Sequence, residues 1–143
     1  MPSRAFWLIS LSGLVPFLVC LALAYGVPSY AESAKTVFLV YSALTLTFLG
    51  GARWGAELVR APNDPSLLRL VLSAVPSVLG MFALVPGTSR QAAVGLLLLS
   101  SAGQLAWDVQ ASRAGLLPAW NGRVRTVLTV LGTGCTLVMW PLL

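Results

Sequence analysis

Five apolar runs, at about residues 5–26, 36–57, 66–86, 91–108 and 124–140, take up nearly all of this 143-residue chain. Each is close to the roughly 20 helical residues needed to cross a hydrocarbon core about 30 Å thick. Little is left over for a separate water-soluble domain. Lipid offers no hydrogen bonds, so a spanning backbone must satisfy its own, as an α-helix or a closed barrel. Barrel strands alternate apolar and polar side chains. Runs such as Leu96-Leu97-Leu98-Leu99 and Leu14-Val15-Pro16-Phe17-Leu18-Val19 do not alternate. The sequence therefore predicts an all-α integral membrane bundle of five transmembrane helices, one domain over residues 1–143.

Composition and charge support that class. The chain is 57% hydrophobic and 9% charged, against about half and a quarter in soluble domains. Its net charge of +5 raises the question of a nucleic-acid partner, but the distribution argues against one. With five spans, alternate loops face opposite sides. Arg4, Arg53, Arg60, Arg69, Arg113, Arg123 and Arg125 then share the amino-terminal side, and only Lys35 and Arg90 face the other. That bias predicts a cytoplasmic amino terminus and an outside carboxyl terminus. The basic residues are expected to meet anionic lipid headgroups. Ser29-Tyr30-Ala31 imitates a signal-peptidase site, but the apolar run before it is longer than a usual signal core, so the first span is expected to stay attached. Cys20 follows Val19, where a lipoprotein cysteine would follow a small residue.

The residues available for chemistry are few. Two cysteines, both inside predicted spans, and no histidine give little basis for a metal or thiol-redox site. Without histidine, the usual haem ligand and neutral-pH proton carrier are missing. No loop carries a dinucleotide, Walker or nucleophile-elbow motif. No cofactor, metal or catalytic residue is expected, and the chain reads as a non-enzyme.

Within the spans three patterns stand out. Pro16 and Pro76 each sit mid-helix behind a similar run, Leu11-Ser12-Gly13-Leu14-Val15 and Leu72-Ser73-Ala74-Val75, and predict two kinks. Paired breaks of this kind occur in internal repeats that flank a midplane binding site; two independent kinks that help packing are the alternative. Ala43, Thr47, Gly51 and Gly55 recur every fourth residue, and Gly51 with Gly55 forms a GxxxG that lets another helix approach closely. Whether that helix is in this chain or another is not readable from the spacing.

The third pattern is polar. Arg53, Glu57 and Arg60 share one face of the second span, and Ser100, Gln104 and Asp108 form a stripe on the fourth. Counting along each helix puts Arg53 and Asp108 at one depth, beside Arg123 and Arg125 at the start of the fifth span. Trp54, Trp107 and Trp120 lie at that level too, as interfacial aromatics do. Arg53, Glu57, Gln104, Asp108, Arg123 and Arg125 are thus a candidate cytoplasmic-side polar cluster, with Arg53–Asp108 its preferred pair. Charges inside a bilayer are costly and often functional; so near helix ends, they also serve simply to orient helices. The longest connection, residues 109–122, is expected to lay Leu116-Leu117-Pro118-Ala119-Trp120 along the interface.

Several of these residues carry a family likeness. They are Gly13-Leu14-Val15-Pro16-Phe17, Phe48-Leu49-Gly50-Gly51 with Arg53-Trp54-Gly55, and Val75-Pro76. Asp108 follows, then Pro118, Trp120, Arg123, Arg125, Leu128 and Thr129. In order and spacing the chain resembles a family of small bacterial inner-membrane proteins known only as a domain of unknown function. That family has a multi-pass mitochondrial transmembrane relative in animals. Asn121 stands where the family has an aromatic. The resemblance implies an inner-membrane location and no activity. The expected function is a non-catalytic accessory or assembly subunit of a larger membrane complex, respiratory or photosynthetic, with other membrane-protein subunits as partners. The alternative is a binder or transporter of a lipid, quinone or tetrapyrrole.

Overall fold

The computed structural model describes residues 3–143, and its regular structure is helical throughout. The helices are α1 (Arg4–Ser12), α2 (Val15–Gly26), α3 (Ala31–Arg60), α4 (Leu67–Ala83), α5 (Arg90–Arg113) and α6 (Ala119–Met139). Single 3₁₀ turns at Pro28–Tyr30 and Trp140–Leu142 complete the set. Four segments are long and apolar enough to cross a membrane: Arg4–Gly26, Pro28–Arg60, Arg90–Arg113 and Ala119–Leu142. The fifth, α4, has 17 residues and rises about 25 Å.

The first span is broken at Gly13 and Leu14, just before Pro16. A helical Pro16 would have no N–H to offer the Ser12 carbonyl, and its ring would press on that group. The chain instead closes α1 with tighter bonds, from Gly13 N–H to Ser10 O (3.3 Å) and Leu14 N–H to Leu11 O (2.9 Å). Pro16 then occupies the first turn of α2, where a missing donor costs nothing. Pro76 behaves differently, since α4 runs through it without interruption. Two stretches alike in sequence thus take different backbones.

Helix ends correct several expected boundaries. α3 begins at Ala31, earlier than residue 36, because its polar first turn is helical too: Glu32 holds Lys35 at 2.6 Å. α5 continues past Asp108 to Arg113, and α6 begins at Ala119. The connection expected over 109–122 therefore shrinks to residues 114–118. Gly115, at φ +73°, turns the chain, and the N–H groups of Leu116 and Leu117 close on the Ala111 carbonyl. A left-handed glycine of this kind ends a helix by satisfying its last carbonyls. Pro118 caps α6, so Trp120 belongs to a helix and not to an interfacial elbow.

The helices form two compact units. The first comprises the chain up to Phe38 together with Leu105–Leu143; the second is Leu39–Gln104. In the first, α1 and α2 pack along α6. Phe6, in the first turns of α1, meets Trp120 edge-on with ring centroids 4.9 Å apart. At the other end, the Tyr25 hydroxyl donates to the Val138 carbonyl at 2.5 Å. The start of one partner meets the start of the other, and end meets end. They run parallel. Phe17 and Phe38, both buried, form a second edge-on pair at 5.1 Å. Tyr25→Phe keeps the ring and removes one hydrogen bond, so it is expected to cost about 1 kcal/mol, read as a lowered thermal midpoint in detergent.

In the second unit α3 and α4 form an antiparallel hairpin with small residues at its contact points. A Cβ added at Gly80 would sit 3.2 Å from Ala43 Cβ, and one added at Gly50 would overlap the Ser73 carbonyl oxygen. From Ala43 to Gly50 is seven residues, two helical turns, and Gly80 to Ser73 is the same step backwards. One step further pairs Glu57 with Ser66, whose N–H donates to Glu57 Oε1 at 2.8 Å. Leu39, Ala43, Leu46, Gly50 and Glu57 are all buried; their steps of four, three, four and then seven are the spacing of a helix–helix seam. Close backbone approach over small side chains is how helices associate in lipid, where hydrophobicity supplies no drive.

Candidate functional site

The hairpin register places the first polar centre. It puts Glu57, on the last turn of α3, against the first residues of α4. Besides the Ser66 N–H, its carboxylate accepts from Arg60 Nη2 at 2.5 Å on Oε1 and from Arg60 Nε at 2.9 Å on Oε2. Arg69 Nη1 reaches Oε2 from α4 at 3.4 Å. Arg60 grips the carboxylate with two donors, the stronger geometry for a guanidinium. The same carboxylate sits at the amino-terminal end of α4, where the helix dipole favours negative charge. Glu57 is buried, while the Arg60 and Arg69 side chains keep 38% and 34% of their surface exposed. One buried acid thus ties the hairpin shut, and two half-exposed cations lie over it.

The second centre is in the other unit. Asp108, 1% exposed, takes the Arg125 guanidinium across from α6, Nε to Oδ2 at 2.8 Å. Gly122 lets α6 come close enough: a Cβ there would lie 3.3 Å from Ser112 Cβ and 3.8 Å from Val109 Cα. Arg123, one residue after Gly122, is exposed.

Of the residues expected to cluster, Glu57, Arg53 and Gln104 lie in the second unit, and Asp108, Arg123 and Arg125 in the first. The structure brings Asp108 and Arg125 together and supplies Glu57 with partners of its own. Arg53 is half-buried on α3. Gln104 is 4% exposed, and neither its amide nitrogen nor its oxygen has a hydrogen-bond partner among the described residues. Gly51 and Gly55 are exposed, and a Cβ at either would meet nothing within 4 Å. The contact glycines of the hairpin are Gly50 and Gly80. Chemically, both centres hold carboxylates against guanidiniums; neither sets a nucleophile beside a base.

Residues 1–141 match the family described as "Protein of unknown function (DUF3429)". The chain belongs to that family. Transmembrane protein 69 of Xenopus tropicalis is 30% identical over 131 residues, 91% of this chain and 51% of that protein. The chain thus spans about half the length of that relative. No solved structure matches. As a DUF3429 protein this is a multi-pass membrane protein, and the family's description names no reaction.

Two site residues of this DUF3429 chain escape a reading by helix faces. Arg69 and Ser66 lie beyond the turn at residues 61–65 and reach Glu57 only because the hairpin is tight. Pro62-Asn63-Asp64-Pro65 signals that turn. Combined with the helical rise, it would have set Glu57 opposite Ser66.

Proposed function

We propose that the protein is a non-catalytic accessory or assembly subunit that docks, through α3, onto a larger complex of the cell inner membrane. The observation that carries this reading is a division of labour between adjacent glycines. Gly50 carries the chain's own hairpin, whereas the GxxxG of Gly51 and Gly55, about a quarter-turn round the helix, has open space beyond it. A small-residue face left open on a spanning helix is a seat for another helix. Gentle-detergent extraction followed by native mass measurement tests it. A heavier assembly with a second gene product, lost on Gly51→Ile with Gly55→Ile, supports the reading. A lone monomer recovered from native membranes overturns it.

The membrane topology that goes with this reading has five crossings, amino terminus cytoplasmic. α4 is at the short end of spanning lengths, but parity favours its crossing. α1–α2 and α6 pack in parallel, start to start. If α3 and α5 crossed and α4 did not, α6 would enter from the opposite side and run antiparallel to them. The excess of arginine on the amino-terminal side supports the orientation. Alkaline phosphatase fused after Leu143 is expected to be active outside the cytoplasm; an inactive, cytoplasmic fusion counts against this topology.

A further inference from the structure

We propose that Ser100 and Gln104 of α5 form a polar binding site at mid-membrane depth for a small uncharged molecule with both a donor and an acceptor. The two residues lie one turn apart on one helix face, near the middle of Arg90–Arg113. Both are nine-tenths or more buried, at 5% and 4% exposure. Ser100 Oγ and both polar atoms of the Gln104 amide have no hydrogen-bond partner among the described residues.

That is unusual by the chain's own standard. Several hydroxyls inside its helices fold back onto the preceding turn: Thr45 onto Tyr41 O at 2.9 Å, Thr47 onto Ala43 O at 3.0 Å, Ser73 onto Leu70 O at 2.6 Å and Thr136 onto Gly132 O at 2.9 Å. Besides Ser100, the only hydroxyl buried without a partner among the described residues is Ser112 Oγ, in the last turn of α5. Such back-bonding is the default for a serine with nothing else to bind. Ser100 does not take it. A buried amide offers two donors and an acceptor, and leaving them unmet is expensive where no solvent reaches. The neutral donor–acceptor pair selects a neutral ligand of the same kind. Internal water has that chemistry, and so does the hydroxyl or carbonyl head of a lipid-soluble molecule. This site is independent of the α3 docking face.

The test uses the full chain in two arms. Solvent extraction of detergent-purified protein, followed by mass spectrometry, looks for a lipid-soluble molecule held stoichiometrically and lost in Gln104→Met with Ser100→Ala. In nanodiscs of saturated phosphatidylcholine, water-edited solid-state NMR of ¹⁵N-glutamine protein looks for magnetisation passing from water to the Gln104 side-chain amide. Gln91 and Gln110, both exposed, are the positive controls. A co-extracted molecule identifies the lipid-soluble source, and transfer at Gln104 identifies water. With the site filled, Gln104→Met lowers the thermal midpoint by about 4 °C. A Gln104 amide that receives no water magnetisation, with nothing co-extracted, overturns the proposal. So does a raised midpoint in Gln104→Met, the result for a dry amide replaced by an apolar isostere.

Discussion

Gly50→Ala is expected to destabilise the protein by about 2–3 kcal/mol, the cost of forcing one carbon into a packed contact, while Gly51→Ala leaves it unharmed. The two glycines are neighbours on one helix, and both substitutions gain about 1 kcal/mol of helix propensity. They differ in what the new methyl meets. At Gly50 it overlaps the Ser73 carbonyl oxygen, with the Pro76 ring close behind at 3.8 Å. That oxygen is backbone, inside the continuous helix α4, and cannot swing away as a side-chain tip would. The hairpin must open at its centre or bend. At Gly51 the methyl points into open space. Gly80→Ala falls between them, since its methyl would press at 3.2 Å on the Ala43 side chain. Thermal midpoints of the three variants in one detergent are expected in the order Gly51→Ala, Gly80→Ala, Gly50→Ala, highest first. Equal midpoints for the two neighbouring glycines would remove the register on which the hairpin is described.

The pair Gly50-Gly51 also shows where the sequence stops being informative. Four-residue spacing singles out Ala43, Thr47, Gly51 and Gly55, but the α3–α4 contact follows Ala43, Gly50 and Glu57, a seven-residue spacing equally present in the letters. Choosing between them requires the partner helix, and the partner's register is set by the length of the Pro62–Pro65 turn. Spans were legible because lipid imposes one length and one polarity on every crossing. Helix ends were less so. Hydropathy marks where lipid stops, whereas hydrogen bonding carries α3 back to Ala31 and α5 on to Arg113 through polar turns. Depth along a helix is likewise readable by counting residues. Counting put Arg53, Arg123 and Arg125 all level with Asp108, and it carries no azimuth. The Asp108–Arg125 pairing depends on the tight turn at Gly115 and the close approach at Gly122.

That pairing gives the second large effect. Arg125→Met is expected to cost about 3–5 kcal/mol, the range for stripping one partner from a buried ion pair. Asp108 is 1% exposed and the Arg125 side chain 15%, so neither charge reaches water readily once the other is gone. Methionine keeps most of the arginine stem's volume, which isolates loss of charge from loss of packing. Asp108→Leu alone is expected to do comparable damage, since it strands the guanidinium inside the same unit. The double replacement is the informative variant. With both charges removed and both volumes roughly kept, neither member of this pair is left facing the other's absence, and buried pairs exchanged for apolar residues are often neutral or better. The double variant is therefore expected to unfold close to the wild type and far above the sum of the single losses. A coupling of about 2 kcal/mol or more in that cycle is the signature of residues acting as one unit. Single losses that simply add would mean the two side chains stabilise the fold separately, and that the contact between α5 and α6 is held by Gly122 and its apolar neighbours alone.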